Sequence, residues 1–225
     1  MSPVLEVASV HRSFGATPAL RGVDLAVDAG EVLAIMGPSG SGKSTLLHCL
    51  AGILRPDQGE VRYQGRRIDD LSEHDRTVLR REEFGFLFQF GQLVPELPAV
   101  ENVALPLLLA GRRRADAVAE ARPWFERLDI QGLEDRRPGE LSGGQAQRVA
   151  LARAMVTGPA VLFADEPTGS LDSLAGERVM ELMTDTARHA GTTVILVTHE
   201  PRIAAYADRE IVVRDGRCST AVGAR

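Results

Sequence analysis

Gly37-Pro38-Ser39-Gly40-Ser41-Gly42-Lys43-Ser44 constrains this chain more than any other stretch, because it matches G-x-x-x-x-G-K-[ST] in full and lies between two segments of different character. Ahead of it, Glu31-Val32-Leu33-Ala34-Ile35-Met36 is a compact apolar run that reads as a buried strand; behind it, Lys43 to about Leu54 reads as a helix. A strand, a glycine-rich turn and a helix N-terminus in that order make a phosphate cradle. The glycines let backbone N–H groups curl toward an anion, the helix end adds partial positive charge, Lys43 supplies a point charge and Ser44 a magnesium ligand. The expected nucleotide contacts are Gly37, Pro38, Ser39, Gly40, Ser41, Gly42, Lys43, Ser44 and Thr45. A Gly-Ser turn that matches by chance is the competing reading, and the flanking strand and helix argue against it. Kinases, GTPases, helicases and transport ATPases all carry such a loop.

A second acidic site narrows that choice. Val161-Leu162-Phe163-Ala164-Asp165-Glu166 is an apolar strand that ends in two carboxylates. Asp165 can reach a magnesium shell while Glu166 polarises an attacking water. Taken alone, the pair is equally well the start of a loop.

The rest of the chain places these motifs in a mixed α/β architecture. Val4-Leu5-Glu6-Val7 and Val23-Asp24-Leu25-Ala26-Val27 alternate at period two, with turn signals at Gly15 and Gly22, and predict antiparallel strands. From Ser72 to about Gly158 β-branched runs thin out, which reads as an inserted helical lobe; Arg112 to Leu128 has helical composition, with Pro123 as a break or a new first turn. Apolar strands return at Ala160 to Ala164 and Thr193 to Val197, separated by a helix-like stretch from Gly176 to Ala190. That alternation argues for a parallel sheet covered on both faces.

With 225 residues and 44% hydrophobic content the chain can bury a large core, and a net charge of −5 gives no broad basic footprint for nucleic acid. Cys49 and Cys218 lie far apart without clustered histidines, which reads as structural thiols in a reducing compartment rather than a zinc site. Met1 to Val10 is too mixed for a signal peptide, and the longest apolar run, Val103 to Ala110, is broken by Pro106 and too short to span a bilayer. The expectation is a cytoplasmic chain.

Leu141-Ser142-Gly143-Gly144-Gln145 is the decisive stretch for kinship. With the phosphate loop and Asp165-Glu166 it resembles the signature of ABC (ATP-binding cassette) ATPases, and the resemblance runs in the family's order over about residues 4 to 217. Read physically, Ser142 to Gly144 is a hydroxyl and two unhindered N–H groups at the start of a helix running from Gln145 to about Val156, which is either a second anion-binding end or an ordinary Ser N-cap with a glycine turn.

The resemblance implies an α/β fold: a P-loop NTPase core with a mostly parallel sheet, an N-terminal antiparallel β subdomain and an inserted α-helical subdomain. It implies one nucleotide-binding domain over residues 1–225, with the helical subdomain at about 90–158. Gln89 resembles the glutamine that touches magnesium and water, Asp172 belongs to the loop that crosses the dimer interface, and His199 resembles the switch histidine on the γ-phosphate. Catalysis is then expected of Glu166 as base with His199, Lys43 and Gln89. Nucleotide contacts are expected from Phe14, Ser142, Gly143, Gly144, Gln145 and Asp172 besides the phosphate loop, and metal contacts from Ser44, Gln89 and Asp165. The cofactors implied are ATP and Mg²⁺, and the partners a second copy in a head-to-tail dimer and a separate transmembrane permease, with no nucleic acid.

Phe14 stands where many members carry a tyrosine on adenine, Phe90 follows Gln89 where a second glutamine is frequent, and Ala146 follows the signature where another glutamine is frequent. None of these removes a catalytic group. Glu166-Pro167-Thr168-Gly169-Ser170-Leu171-Asp172-Ser173 and Val100 to Leu107 look most like the macrolide-efflux and lipoprotein-releasing branch, as do Thr198-His199-Glu200-Pro201 and Ala205 to Asp208. The branch implies an exporter subunit on the inner face of the membrane. The alternatives are a cell-division ATPase that signals across the membrane and a soluble member acting on ribosomes or DNA.

Overall fold

A computed structural model describes residues 3–220, so the outermost residues of the 1–225 span, including Met1 and Ser2, lie outside it. Two sheets organise these residues. β1 (Leu5–Phe14), β2 (Thr17–Val27), β4 (Gln58–Tyr63) and β5 (Arg66–Arg67) form an antiparallel sheet in the order β2-β1-β4-β5. Leu5 and Val7 of β1 and Val23, Leu25 and Val27 of β2 are buried at period two; a register shift at Ser9, with φ 49°, resets the alternation so that Val10 is buried as well. The turn between these strands is at Gly15 and Ala16. Gly22, read as a second turn, instead lies inside β2 with φ 76°, where the register with β1 shifts.

β3 (Val32–Met36), β6 (Phe84–Phe88), β7 (Val161–Asp165), β8 (Thr193–Val197), β9 (Arg209–Arg214) and β10 (Arg217–Thr220) form the second sheet, in the order β10-β9-β3-β8-β7-β6. Its five neighbours from β9 to β6 run parallel and only β10 is antiparallel. Along β8, Val194 and Leu196 join one core cluster while Ile195 and Val197 join the other; β7 divides its residues the same way. Continuous apolar strands thus mark a sheet buried on both faces. One face carries α1 (Lys43–Leu50) and the antiparallel sheet; the other carries α6 (Gly143–Met155) and α7 (Ser173–Ala190).

α1 is shorter than the expected run to Leu54, ending ahead of Gly52, which takes a left-handed φ of 63°. The helical reading from Ser72 also needs correction. α2 (Glu73–Glu83) is followed by β6, which pairs along its whole length with β7, so the helical segment begins only beyond the core strand. Phe84-Gly85-Phe86-Leu87-Phe88 has no β-branched residue, and its partner lies far along the chain. α3 (Ala99–Leu109), α4 (Arg114–Ala121) and α5 (Pro123–Arg127), with Pro123 in the first turn of α5, then lead to α6. A short α8 (Pro201–Ala204) follows β8. Among the described residues no helix is long and apolar enough to cross a membrane.

Candidate functional site

The phosphate-loop segment connects β3 to α1 and takes a shape that only glycine permits at its tightest points. Gly37 has φ 145°, and a Cβ there would lie 2.2 Å from the Val213 carbonyl oxygen; Gly42 has φ 107°, and its Cβ would lie 2.4 Å from the Ala19 carbonyl oxygen. Lys43 is only 7% exposed, and its Nζ donates to the Pro38 carbonyl at 2.9 Å across the loop. The ammonium is thereby held over the concave side of the turn. Buried Ser41 Oγ has no hydrogen-bond partner among the described residues, a polar atom facing the loop with capacity to spare.

This loop forms one wall of a cleft of about 740 Å³. Pro38, Ser39, Gly40, Gly42, Lys43, Ser44 and Thr45 line it together with Phe14, Gln89, Glu166 and His199, contributed by four other parts of the chain. Phe14 ends β1 half-exposed, Gln89 follows β6, Glu166 follows β7 and His199 lies beyond β8. Parallel strands end at one edge of the sheet, which is why residues so distant in sequence converge there. Thr17, Pro18 and Ala19 at the start of β2 complete the wall, and sequence reasoning did not single them out. Their only signal was adjacency to the Phe14-Gly15 turn.

Glu166 has a left-handed φ of 49°, a strained conformation for a non-glycine residue. Its N–H is fixed by the Val197 carbonyl at 2.9 Å, and its own carbonyl receives the Gly169 N–H at 3.0 Å. The backbone thus turns the carboxylate into the cleft, where His199 Nδ1 donates to Oε1 at 2.9 Å and to Oε2 at 3.0 Å. A carboxylate oriented by an imidazole can receive a proton from a water in the cleft.

Beside it, Ser44, Gln89, Asp165 and Glu166 line a smaller recess of about 250 Å³, and Ser44 Oγ donates to Asp165 Oδ1 at 3.2 Å. A hydroxyl, an amide and a carboxylate supply oxygen donors of the kind a hard cation prefers, so this corner fits Mg²⁺ with phosphate and water as further ligands. Gln89 is held through its backbone: Ser170 Oγ donates to its carbonyl at 2.8 Å. Gln147 Nε2 donates to Phe88 O at 2.8 Å, and the half-buried Arg153 donates to the carbonyls of Gly91 and Gln92 at 2.6 and 2.8 Å. Gln147 and Arg153 also escaped sequence reasoning, because α6 approaches this loop from more than fifty positions away.

The remaining candidates lie outside the cleft. Ser142 is the N-cap of α6: its Oγ accepts the Gln145 N–H at 3.3 Å, and Gln145 Oε1 accepts the Ser142 N–H at 2.9 Å, a complete capping box. The hydroxyl hydrogen and the N–H groups of Gly143 and Gly144 are not consumed by that box. Asp172 caps α7 by accepting the Ala175 N–H at 2.9 Å. Neither Ser142, Gly143, Gly144, Gln145 nor Asp172 lines the cleft of its own chain.

The model of the ABC transporter family matches residues 20–169 of the chain. Among similar proteins, the lipoprotein-releasing system ATP-binding protein LolD of Porphyromonas gingivalis is 42% identical over 95% of this chain and 97% of its own length. The macrolide export ATP-binding/permease protein MacB of Marinobacter nauticus is 44% identical over 99% of this chain, which spans only 35% of that longer protein. Among solved structures, the dimeric post-hydrolysis state of the ATP-binding cassette MJ0796, bound to ADP and Pi, superposes with a TM-score of 0.87 at 35% identity, covering 98% of this chain and all of that one.

Proposed function

We propose a working cycle for this chain from the premise that it belongs to the ABC transporter family and is an ATPase that takes ATP with Mg²⁺. The observation that carries the cycle is the division of the site. Lys43, Ser44, Gln89, Glu166 and His199 share one cleft, while the helix end at Ser142 to Gly144 does not line it. Two copies related by a twofold axis, head to tail, place the donors of one helix end over the cleft of the other.

Within each composite site the backbone of the phosphate loop and Lys43 bind the β and γ phosphates, and Phe14 stacks on the base. Ser44, Gln89 and Asp165 hold Mg²⁺, which when bound neutralises phosphate charge. Glu166 takes the proton of the water that attacks the γ phosphorus, and His199 orients Glu166 and the departing phosphate. Ser142, Gly143 and Gly144 of the partner complete the phosphate cage, with Gln145 and Asp172 at the same interface. Release of phosphate removes what holds the copies together.

Residues 1–225 act as one nucleotide-binding domain with a helical subdomain at about 90–158. A transmembrane permease docks beside that subdomain. What supports this is an apolar groove of about 440 Å³ between α2, β6 and α3, lined by Ile53, Phe86, Leu105 and Leu109, with Leu109 67% exposed. The chain then works at the inner face of the membrane, held there by the permease, as an exporter subunit of the lipoprotein-releasing or macrolide-efflux type. Pull-down of the full chain from detergent-solubilised membranes is expected to bring with it a four-span permease whose presence raises ATP hydrolysis. A purely soluble, ribosome-bound pool would overturn the transport reading.

A further inference from the structure

Phe14 lacks the hydroxyl that could tether an aromatic ring at this position, yet its ring is not left alone. The guanidinium carbon of Arg12 lies 5.2 Å from the ring centroid. Residues two apart on a strand share a face, so β1 itself sets this pair side by side. Arg12 does not line the nucleotide cleft, whereas Phe14 does, so the cation covers the ring from outside.

Arg12 is in turn anchored. Its Nη1 donates to Asp57 Oδ1 at 2.7 Å, and the other oxygen of Asp57 accepts the Ser13 N–H at 2.7 Å. The Asp57 N–H donates to the His11 carbonyl at 2.8 Å, so the loop ahead of β4 clamps three consecutive residues at the end of β1. Arg12 Nε is buried with no hydrogen-bond partner among the described residues. A guanidinium in that state is held for its position more than for its donors.

We propose that Arg12 is a positioning residue for the nucleotide base: Asp57 fixes it against the outer face of Phe14, and the ring presents its inner face to the purine. Two effects follow. The clamped cation restricts the rotamers of a half-exposed ring, so less freedom is lost when a base stacks. The cation also draws π density toward itself, which makes the opposite face a better platform for an electron-rich purine. Neither effect reads the edge of the base, so adenine and guanine benefit alike. The proposal rests on the reading of Phe14 as the stacking platform.

The test is calorimetric titration of the full chain with ATP, GTP and inorganic tripolyphosphate, alongside KM and kcat for ATP, in Arg12→Gln, Arg12→Lys, Asp57→Asn and Phe14→Ala. Arg12→Gln is expected to weaken ATP and GTP by about two- to fivefold, to leave tripolyphosphate unchanged and to raise KM while kcat stays within about twofold. Arg12→Lys is expected to recover most of the loss, and Asp57→Asn to show part of it. Parental ATP affinity in Arg12→Gln, with Phe14→Ala weakened, would remove the role of Arg12 alone. Equal losses for ATP and tripolyphosphate would overturn it as well, since they would report a general loss of charge or of hairpin structure. Parental ATP affinity in Phe14→Ala would remove the stacking platform and with it the role of Arg12.

Discussion

The cleft behind the phosphate loop and the helix end at Ser142, the two halves of the proposed phosphate site, are finished to different degrees. In the cleft the candidate groups are already held: Lys43 by the Pro38 carbonyl, Ser44 by Asp165, and His199 by Glu166. At α6 the cap is complete, and the N–H groups of Gly143 and Gly144 have no acceptor among the described residues. On the proposed cycle, the first region binds by itself and the second serves another molecule. The difference locates where cooperation between copies must enter, and it can be broken from either side.

The largest effect is expected from the finished side. Glu166→Gln keeps the volume and the hydrogen bond to His199 but cannot accept a proton, so phosphate release at saturating ATP is expected to fall by about 10² to 10⁴, with ATP retained and an ATP-held dimer seen by size exclusion. Hydrolysis at the parental rate would mean that another group is the base. Next comes the unfinished side. Gly143→Asp sets a carboxylate where the partner's phosphate arrives, and turnover is expected to fall by about 10² while the chain still binds ATP as a monomer. Its new Cβ would meet only the tip of Leu171, at 3.2 Å, so the fold should accept it.

Lys43→Met is expected to weaken ATP binding by about ten- to a hundredfold, read by calorimetry, through loss of a charge-assisted contact. Mixing it with Gly143→Asp sharpens the comparison. A head-to-tail pair of the two variants contains one fully intact composite site, so the mixture should hydrolyse ATP faster than either preparation alone at an ATP concentration that leaves Lys43→Met mostly unbound. No gain on mixing would sink the divided-site arrangement. The smallest effect on stability is expected for Ser142→Ala, which removes the cap of α6 besides one donor of the proposed phosphate cage: a loss of about 1 kcal/mol, seen as a melting temperature lower by about 2–4 °C.

Legibility in the sequence followed the range of the interactions. β3, β7 and β8 were readable because burial on both faces leaves unbroken apolar runs, and the Ser142 cap was readable because its partner is three residues away. β6 was obscured: Phe84 to Phe88 lacks β-branching and is made a strand by β7, far along the chain. Gly22 looked like a turn because its left-handed backbone is the same in a turn and in an irregular strand. The grouping of Gln89, Glu166 and His199 came from family resemblance, since only the parallel order of the sheet sets their strand ends together. Arg153 and Gln147 left no local trace, because what they hold are backbone carbonyls, and those are the same at every position.

The capped helix end at Ser142 also has a kinetic consequence. In the proposed head-to-tail arrangement its donors serve a neighbour, which makes turnover by free chains second order in protein at low concentration, so the specific activity of a dilute preparation should fall on further dilution. Two copies mounted on a common scaffold meet at a fixed effective concentration, and that dependence disappears. The anchoring partner would then set the order of the reaction as well as its location.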